Sequence, residues 1–342
     1  QMFRASLAVD QKLPWGMIGT LEGLYTKTIN NVIYYNLNRD PNADFYLTGA
    51  DNRPHYNRDE IDDDYTRIML GANTGEGYTY NITAKLEKPF DNGLSATFAY
   101  TFGRAMVLND GTSSQNSSQW RYMEQVNGLN NLDLSRSDFD MGHRVIAFVT
   151  YQKEYLKNLS TAISLYYNGQ SGGVYSYVYG NRGNLNGNGE STNNLVYIPA
   201  SSSEIILTGG NWSELDEFIK NDDYLSEHRG EYAERNGARS PFSNIIDLKF
   251  IQDIFVDAGG RKHTLQLTFD MFNLTNWINK DWGRRYYVSY DAHQLLRFEG
   301  FDTDGTTPTF SFSKPDGDIW NIDDAGFNSS RWQAQLGIRY IF

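Results

Sequence analysis

The chain has 342 residues, a formal net charge of −12, a mean hydropathy of −0.58 and no cysteine. No apolar run approaches the ~18 residues of a spanning helix, which excludes a helical membrane protein, and no disulfide framework or thiolate metal site is available. The acidic balance leaves no basic stripe to neutralise phosphates and argues against a nucleic-acid partner. A β-barrel stays open, because a barrel strand shows only every second side chain to lipid and averages out polar. Aromatic residues make up 15% of the chain, with 24 Tyr and 19 Phe, and barrels spend such residues on girdles at the two membrane interfaces.

In chain order the periodicity predicts strands. Two less regular ones cover about residues 3–9 and 17–36. Tyr78, Tyr80, Ile82, Ala84 and Leu86 then alternate with Thr79, Asn81, Thr83, Lys85 and Glu87. Leu94, Ala96, Phe98, Tyr100 and Phe102 alternate with Ser95, Thr97 and Thr101, and a further strand runs from Val145 to Tyr151. Leu159, Ile163, Leu165 and Tyr167 follow, then Ile246, Leu248 and Phe250 around Asp247 and Lys249. Leu265, Leu267, Phe269 and Met271 alternate with Gln266, Thr268 and Asp270. In the last strand Trp332, Ala334, Leu336, Ile338, Tyr340 and Phe342 are apolar, whereas Gln333, Gln335, Gly337 and Arg339 are not, and Ile341 is the single break. Period two over about ten residues is the span of a tilted barrel strand. It gives one face for lipid and sets Gln266, Asp270, Gln333, Gln335 and Arg339 toward a wet lumen.

The connections carry more weight than any one alternation. Short ones near residues 10–16, 88–93, 153–158 and 253–261 alternate with long ones near 37–77, 104–143, 169–243 and 274–331. Short periplasmic turns and long outer loops are the outer-membrane barrel pattern. The expected fold is therefore all-β, an antiparallel transmembrane β-barrel with about nine strands and long extracellular loops. Bacterial single-chain barrels close with an even number of strands, so residues 1–342 read as the C-terminal barrel portion of a longer chain. The N-terminus begins inside an alternating segment and is no signal peptide. Within the loops, an N-cap at Asn211 and helical spacing of Leu215, Phe218 and Ile219 predict a helix over 211–220. A second helix is expected within 222–235, and the Gly/Asn-rich tract 181–194 reads as a loop tip.

The C-terminal residues from Arg331 to Phe342 resemble the final strand of a TonB-dependent receptor, whose terminal aromatic is read by the barrel-assembly machinery; Tyr340 and Phe342 carry that signal here. Phe269-Asp270-Met271-Phe272-Asn273-Leu274-Thr275-Asn276 is similar to the penultimate strand of these receptors. Arg136-Ser137-Asp138-Phe139-Asp140-Met141-Gly142-His143-Arg144, with the stretch from Tyr224 to Asn236, resembles the Oar-like branch found in Bacteroidota, with SusC-like importers the nearest alternative. The resemblance implies a 22-stranded barrel, an N-terminal plug outside this chain and a TonB box reaching the TonB–ExbB–ExbD motor. It implies energised uptake or surface binding of a large or scarce ligand, and no cofactor. Lipopolysaccharide or other outer-membrane lipid and a surface lipoprotein are the further expected partners, and the polar lumen residues would line the path or hydrogen-bond the plug. Two other readings stay open: a non-energised structural or adhesive barrel, and a soluble aromatic-rich glycan-binding β-sandwich.

Candidate chemistry is confined to the loops. Trp277, Trp282, Arg284, Arg285, Tyr286, Tyr287 and Tyr290 put aromatic faces beside hydrogen-bonding arms in the last long loop and could bind sugars, peptides or a siderophore. Trp120 and Tyr122 are weaker candidates of the same kind. The alternative is that these residues pack the loops on themselves. The acidic run 59–64 could offer Asp62 and Asp64 as calcium ligands, but reads first as a solvated loop. Asp302-Thr303-Asp304-Gly305 lacks the Glu of a calcium loop and reads as a turn. His55, His143, His228, His263 and His293 show no ligand spacing, no metal site is read from them, and no catalytic motif is read.

Overall fold

The computed structural model describes residues 1–56, 60–180, 185–187, 193–325 and 330–342. Among the described residues nine antiparallel strands run in sequence order through one ten-stranded sheet: β1 (Met2–Lys12), β2 (Ile18–Thr28), β3 (Tyr78–Asp91), β4 (Leu94–Val107), β5 (Gly142–Tyr155), β6 (Leu159–Gln170), β7 (Ser243–Ala258), β8 (Arg261–Phe272) and β9 (Gln333–Ile341), with the short strand Ser135–Arg136 pairing with β4 off that path. Among the described residues β1 and β9 each pair along one edge only within this meander, so the sheet is open. The expected nine strands are present, but most are longer than about ten residues, up to 16 in β7.

Tight hairpins join the strands at one end. Asn92 and Gly93 (φ 51° and 81°) link β3 to β4, and Gly259 and Gly260 (φ 61° and 76°) link β7 to β8. Two-residue turns of this kind need positive φ at both positions and match the twist of the flanking strands. Gly93 is further constrained, since a Cβ there would lie 2.1 Å from the Gln152 carbonyl oxygen. All the long connections leave from the other end.

Register turns the alternation into two continuous faces. Leu7 is level with Gly23, Gly23 with Ile82, Ile82 with Phe102, and Phe102 with His143. At the other edge Leu248 is level with Met271, Phe250 with Phe269, and Phe269 with Leu336. The opposite face pairs Thr83 with Thr101, Lys249 with Asp270, Asp253 with Gln266, and Gln266 with Arg339. Leu336 is 81% and Ile338 79% exposed, and among the described residues no second sheet covers them. Such a face is costly in water, at about 25 cal/mol per Å², and suits hydrocarbon. A soluble sandwich, which would bury it between sheets, is not what the chain forms.

Within the nine strands Ile245 and Met271 are the buried hydrophobics; the rest of the core lies in the loops. The chain leaves β2 at Ile29, and Asn31–Asn36 pairs with Met69–Thr74 in a separate hairpin, so the strand expected over 17–36 is two elements. Strands Val174–Gly180, Ile206–Gly209, Ala238–Arg239, Ala292–Phe301 and Pro308–Ser311 form a five-stranded mixed sheet. Val174–Gly180 is buried throughout and runs parallel to Ala292–Phe301. Among the described residues four α-helices accompany it: α1 (Asn116–Arg121), α2 (Trp212–Asn221), α3 (Asp223–Glu227) and α4 (Leu274–Ile278). Tyr177, Tyr179, Ile198, Leu215, Ile219, Leu225 and Phe310 share one core. The loops thus fold together into a cap, well beyond the two helices expected within them. The α2 expectation holds, with the Asn211 side chain accepting from the Glu214 amide at 2.9 Å. The second helix is shorter than its expected window, ending at Glu227. Most of the 181–194 tract lies outside the described residues.

Candidate functional site

The polar face ends, on the loop side, at a cavity of about 470 Å³. Gln170 and Ser243 are level at the ends of β6 and β7 and form its floor, while Arg285, Tyr286, Tyr287 and Asp323 form its wall. Local sequence fixes that wall. Asn273 leaves β8 in the left-handed conformation (φ 54°), takes a hydrogen bond from the Asn276 amide and caps α4. Its amide donates to the Asp247 carboxylate, and its side-chain nitrogen donates to the Gly283 carbonyl, both at 2.8 Å. A Cβ at Gly283 would lie 2.0 Å from the Asn273 side-chain oxygen, so glycine is needed where the chain folds back. Tyr286–Tyr287 then pairs with Asn321–Ile322, and Ser330 Oγ accepts from the Arg285 amide at 2.8 Å.

Behind the cavity wall Tyr286 meets Trp320, which lines a neighbouring groove, edge to face at 6.4 Å between ring centroids, and the buried Nε of Arg285 has no hydrogen-bond partner. Asp324, also on the lining, pairs with Arg331 at 2.6 Å. Aromatic faces, a guanidinium and carboxylates around a concave space can stack on a ligand and hydrogen-bond it.

The aromatic residues expected to act together are divided. Arg285, Tyr286 and Tyr287 line this cavity; Trp277 and Trp282 do not, and are 58% and 55% exposed on the outside of the cap. Arg284 is held by Asp281 at 2.5 Å, and Tyr290 is almost fully exposed, beside a different pocket. Trp120 is buried in α1, donates from its indole to Asn130 at 2.8 Å and lines a 270 Å³ cavity with Arg39 and Tyr56. Tyr122 faces away toward another pocket, under the Arg121 guanidinium.

Along the polar face Gln266 donates to Asp253 at 2.9 Å and Asp270 pairs with Lys249 at 3.0 Å. Gln335 is level with Asp270, Gln333 with Phe272, and Arg339 with Gln266. On the apolar face Tyr340 hydrogen-bonds His263 at 2.7 Å and stacks between its ring and that of Phe342, beside the hairpin end of the sheet. Asp59 lies outside the described residues; Asp62 closes a turn by accepting from the Asp64 amide at 3.0 Å. Asp304 accepts from both Thr306 and Thr307 amides and from the Thr307 hydroxyl, which hold its carboxyl down at about 2 and make the 302–305 segment a turn.

Sequence patterning gave no sign of a group of acids in the cap. Glu124, Asp110, Asp138 and Asp291 converge on one pocket, with the buried Arg235 close enough to act on three of them. Burial pushes the Glu124 carboxyl up to about 7 against the pull of Arg235. Burial also raises Asp138 and Asp291, and each of these is raised further by a neighbouring carboxylate. Asp110, Glu124 and Asp138 stand well apart along one connection and Asp291 comes from another, which a linear pattern cannot join.

An antiparallel meander with one apolar face, tight turns at one end and folded loops at the other is the wall of a transmembrane β-barrel. Residues 2–281 match the family of the outer membrane beta barrel domain, and the chain belongs to that family. No curated protein and no solved structure matches it.

Proposed function

We propose that the protein is a TonB-dependent outer-membrane receptor that captures a large or scarce ligand at the mouth of the polar face and takes it inward. The observation that carries this reading is the Arg285, Tyr286 and Tyr287 cavity, which opens at the end of the polar face instead of on the cap exterior. Gln266, Asp270, Gln333, Gln335 and Arg339 would line the path below it. Nine strands with both outer edges unpaired in the meander support a wide barrel completed by further strands. The residue resemblances favour the Oar-like branch, and the plug and motor partners belong to the same proposal. An oligosaccharide, peptide or siderophore suits the cavity's mixture of rings and hydrogen-bonding groups.

Uptake of such ligands by whole cells, with and without a protonophore, tests the reading, alongside the denatured mass of the native polypeptide. Energised uptake stops with the protonophore, and Arg285→Ala weakens ligand binding about tenfold, equivalent to about 1.4 kcal/mol. Uptake indifferent to the protonophore would favour a non-energised barrel. A native mass equal to the 39.1 kDa of this chain would sink the single-chain wide barrel.

A further inference from the structure

A second groove, of about 620 Å³, lies where Phe102, Arg104 and His143 of the apolar face meet the cap, and it shares Pro241 with the lining of the first cavity. The rings at its lower edge form a belt: Tyr80 is 6.1 Å from Phe102, and Phe102 is 4.9 Å from His143. Aromatic rings at the end of an apolar band mark the level of lipid headgroups. Arg104 is level with Tyr80, on the same face as Phe102 and two residues beyond it. Arg136 is level with Met106, two residues further along. Arg239 completes the group, bonded to the Asp140 and Gly172 carbonyls and paired with the Asp140 carboxylate.

The three arginines face a single carboxylate partner. Among the described residues the Arg104 side chain makes no hydrogen bond or ion pair, whereas Arg136 donates from Nη1 to the Gly237 and Asn236 carbonyls and has an unpartnered buried Nε. Burial lowers the Arg239 pKa; Arg136 and Arg104 press it the same way and Asp140 opposes them, which places all three guanidinium groups within electrostatic reach. On the cap side of the groove stand Asp222, Asp223 and Glu227 of α3. Asp222 is occupied, accepting from the Leu225 amide and from Tyr177, while Asp223 and Glu227 make no ion pair among the described residues.

We propose that this groove seats the phosphate-bearing headgroup of an outer-leaflet lipid, with its acyl chains on the apolar face below the ring belt. The arginines take the phosphate oxygens by charge-assisted hydrogen bonds, for which a planar guanidinium is well shaped. Asp223 and Glu227 accept from hydroxyl or ammonium donors of the same headgroup. The groove is lined by none of Arg285, Tyr286 and Tyr287, although Pro241 borders both cavities, so the two proposals are tested at different residues.

The test uses the native outer-membrane polypeptide, delipidated in detergent and examined by native mass spectrometry. The probes are lipid A, a neutral diacylglycerol and inorganic phosphate. Wild type should retain lipid A and not the diacylglycerol, and millimolar inorganic phosphate should not displace it. Arg104→Glu should weaken lipid A retention at least tenfold, Arg104→Gln less, and Arg104→Lys least. Unchanged heat-modifiable migration would show that each variant is folded. Retention of lipid A by folded Arg104→Glu at the wild-type level would overturn the proposal, as would equal retention of diacylglycerol. Displacement by inorganic phosphate would make the site one for a soluble anion and overturn the lipid assignment.

Discussion

Glu124 is the residue whose environment departs most usefully from water. Its folded pKa, about 7, lies above the ordinary 4.5 because burial disfavours the carboxylate. The folded cap therefore holds the proton more tightly than the unfolded chain does. That stability is fully present below about pH 4.5 and is lost as pH rises through 7. The loss expected between pH 5 and pH 8 is on the order of 2 kcal/mol, reduced by solvent screening through the open pocket. Protection factors in the Val174–Gly180 strand, with the intrinsic pH dependence of exchange divided out, should fall over that range, and Glu124→Gln should remove most of the fall. A residual slope belongs to Asp138 and Asp291, which shift in the same direction. An unaltered pH profile in the variant would show that Glu124 does not carry the dependence.

Elements differ in how much of themselves a sequence displays. Strands β3, β4, β8 and β9 have one apolar and one polar face, so their alternation was readable and their register followed from it. Helix α2 was readable as well, because an N-cap and a 3.6-residue apolar spacing coincide. Asn211→Ala removes the bond to the Glu214 amide, costs about 1 kcal/mol and should speed amide exchange in α2 about fivefold. No change in exchange would mean that burial of Leu215 and Ile219 alone holds the helix. The strand Val174–Gly180 stayed hidden for the opposite reason. Every residue in it is buried, so Val-Tyr-Ser-Tyr-Val-Tyr shows no apolar–polar alternation even though tyrosine recurs at every second position, and only its β-branched and aromatic content is strand-like. The mouth cavity was legible in part: Arg285, Tyr286 and Tyr287 stand in one run, but Gln170, Ser243 and Asp323 reach it from distant segments. Trp277 and Trp282 are neighbours in sequence that the α4 turn leaves on the cap exterior, which composition alone cannot foresee.

At the scale of the molecule, two kinds of burial are at work. The cap encloses its own core, whereas the sheet leaves its apolar face for a solvent other than water. This division makes the two faces of β9 unequal toward charge. Leu336 and Ile338 lie near the middle of the strand on the apolar face, and Gln335, the residue before Leu336, lies on the polar face. A cation on a lipid-facing midplane position costs about 2–4 kcal/mol, while the lumen side tolerates charge. Leu336→Arg should therefore lower the folded fraction, read as loss of heat-modifiable migration and of surface-exposed protein, by tenfold or more. Gln335→Arg should fold at nearly the wild-type level, although it places the same side chain one residue away. Equal tolerance of both substitutions would mean that the face carrying Leu336 meets protein or water instead of lipid. The register that aligns Leu336 with Phe269 and Phe250 would then have to serve a packed interface between sheets.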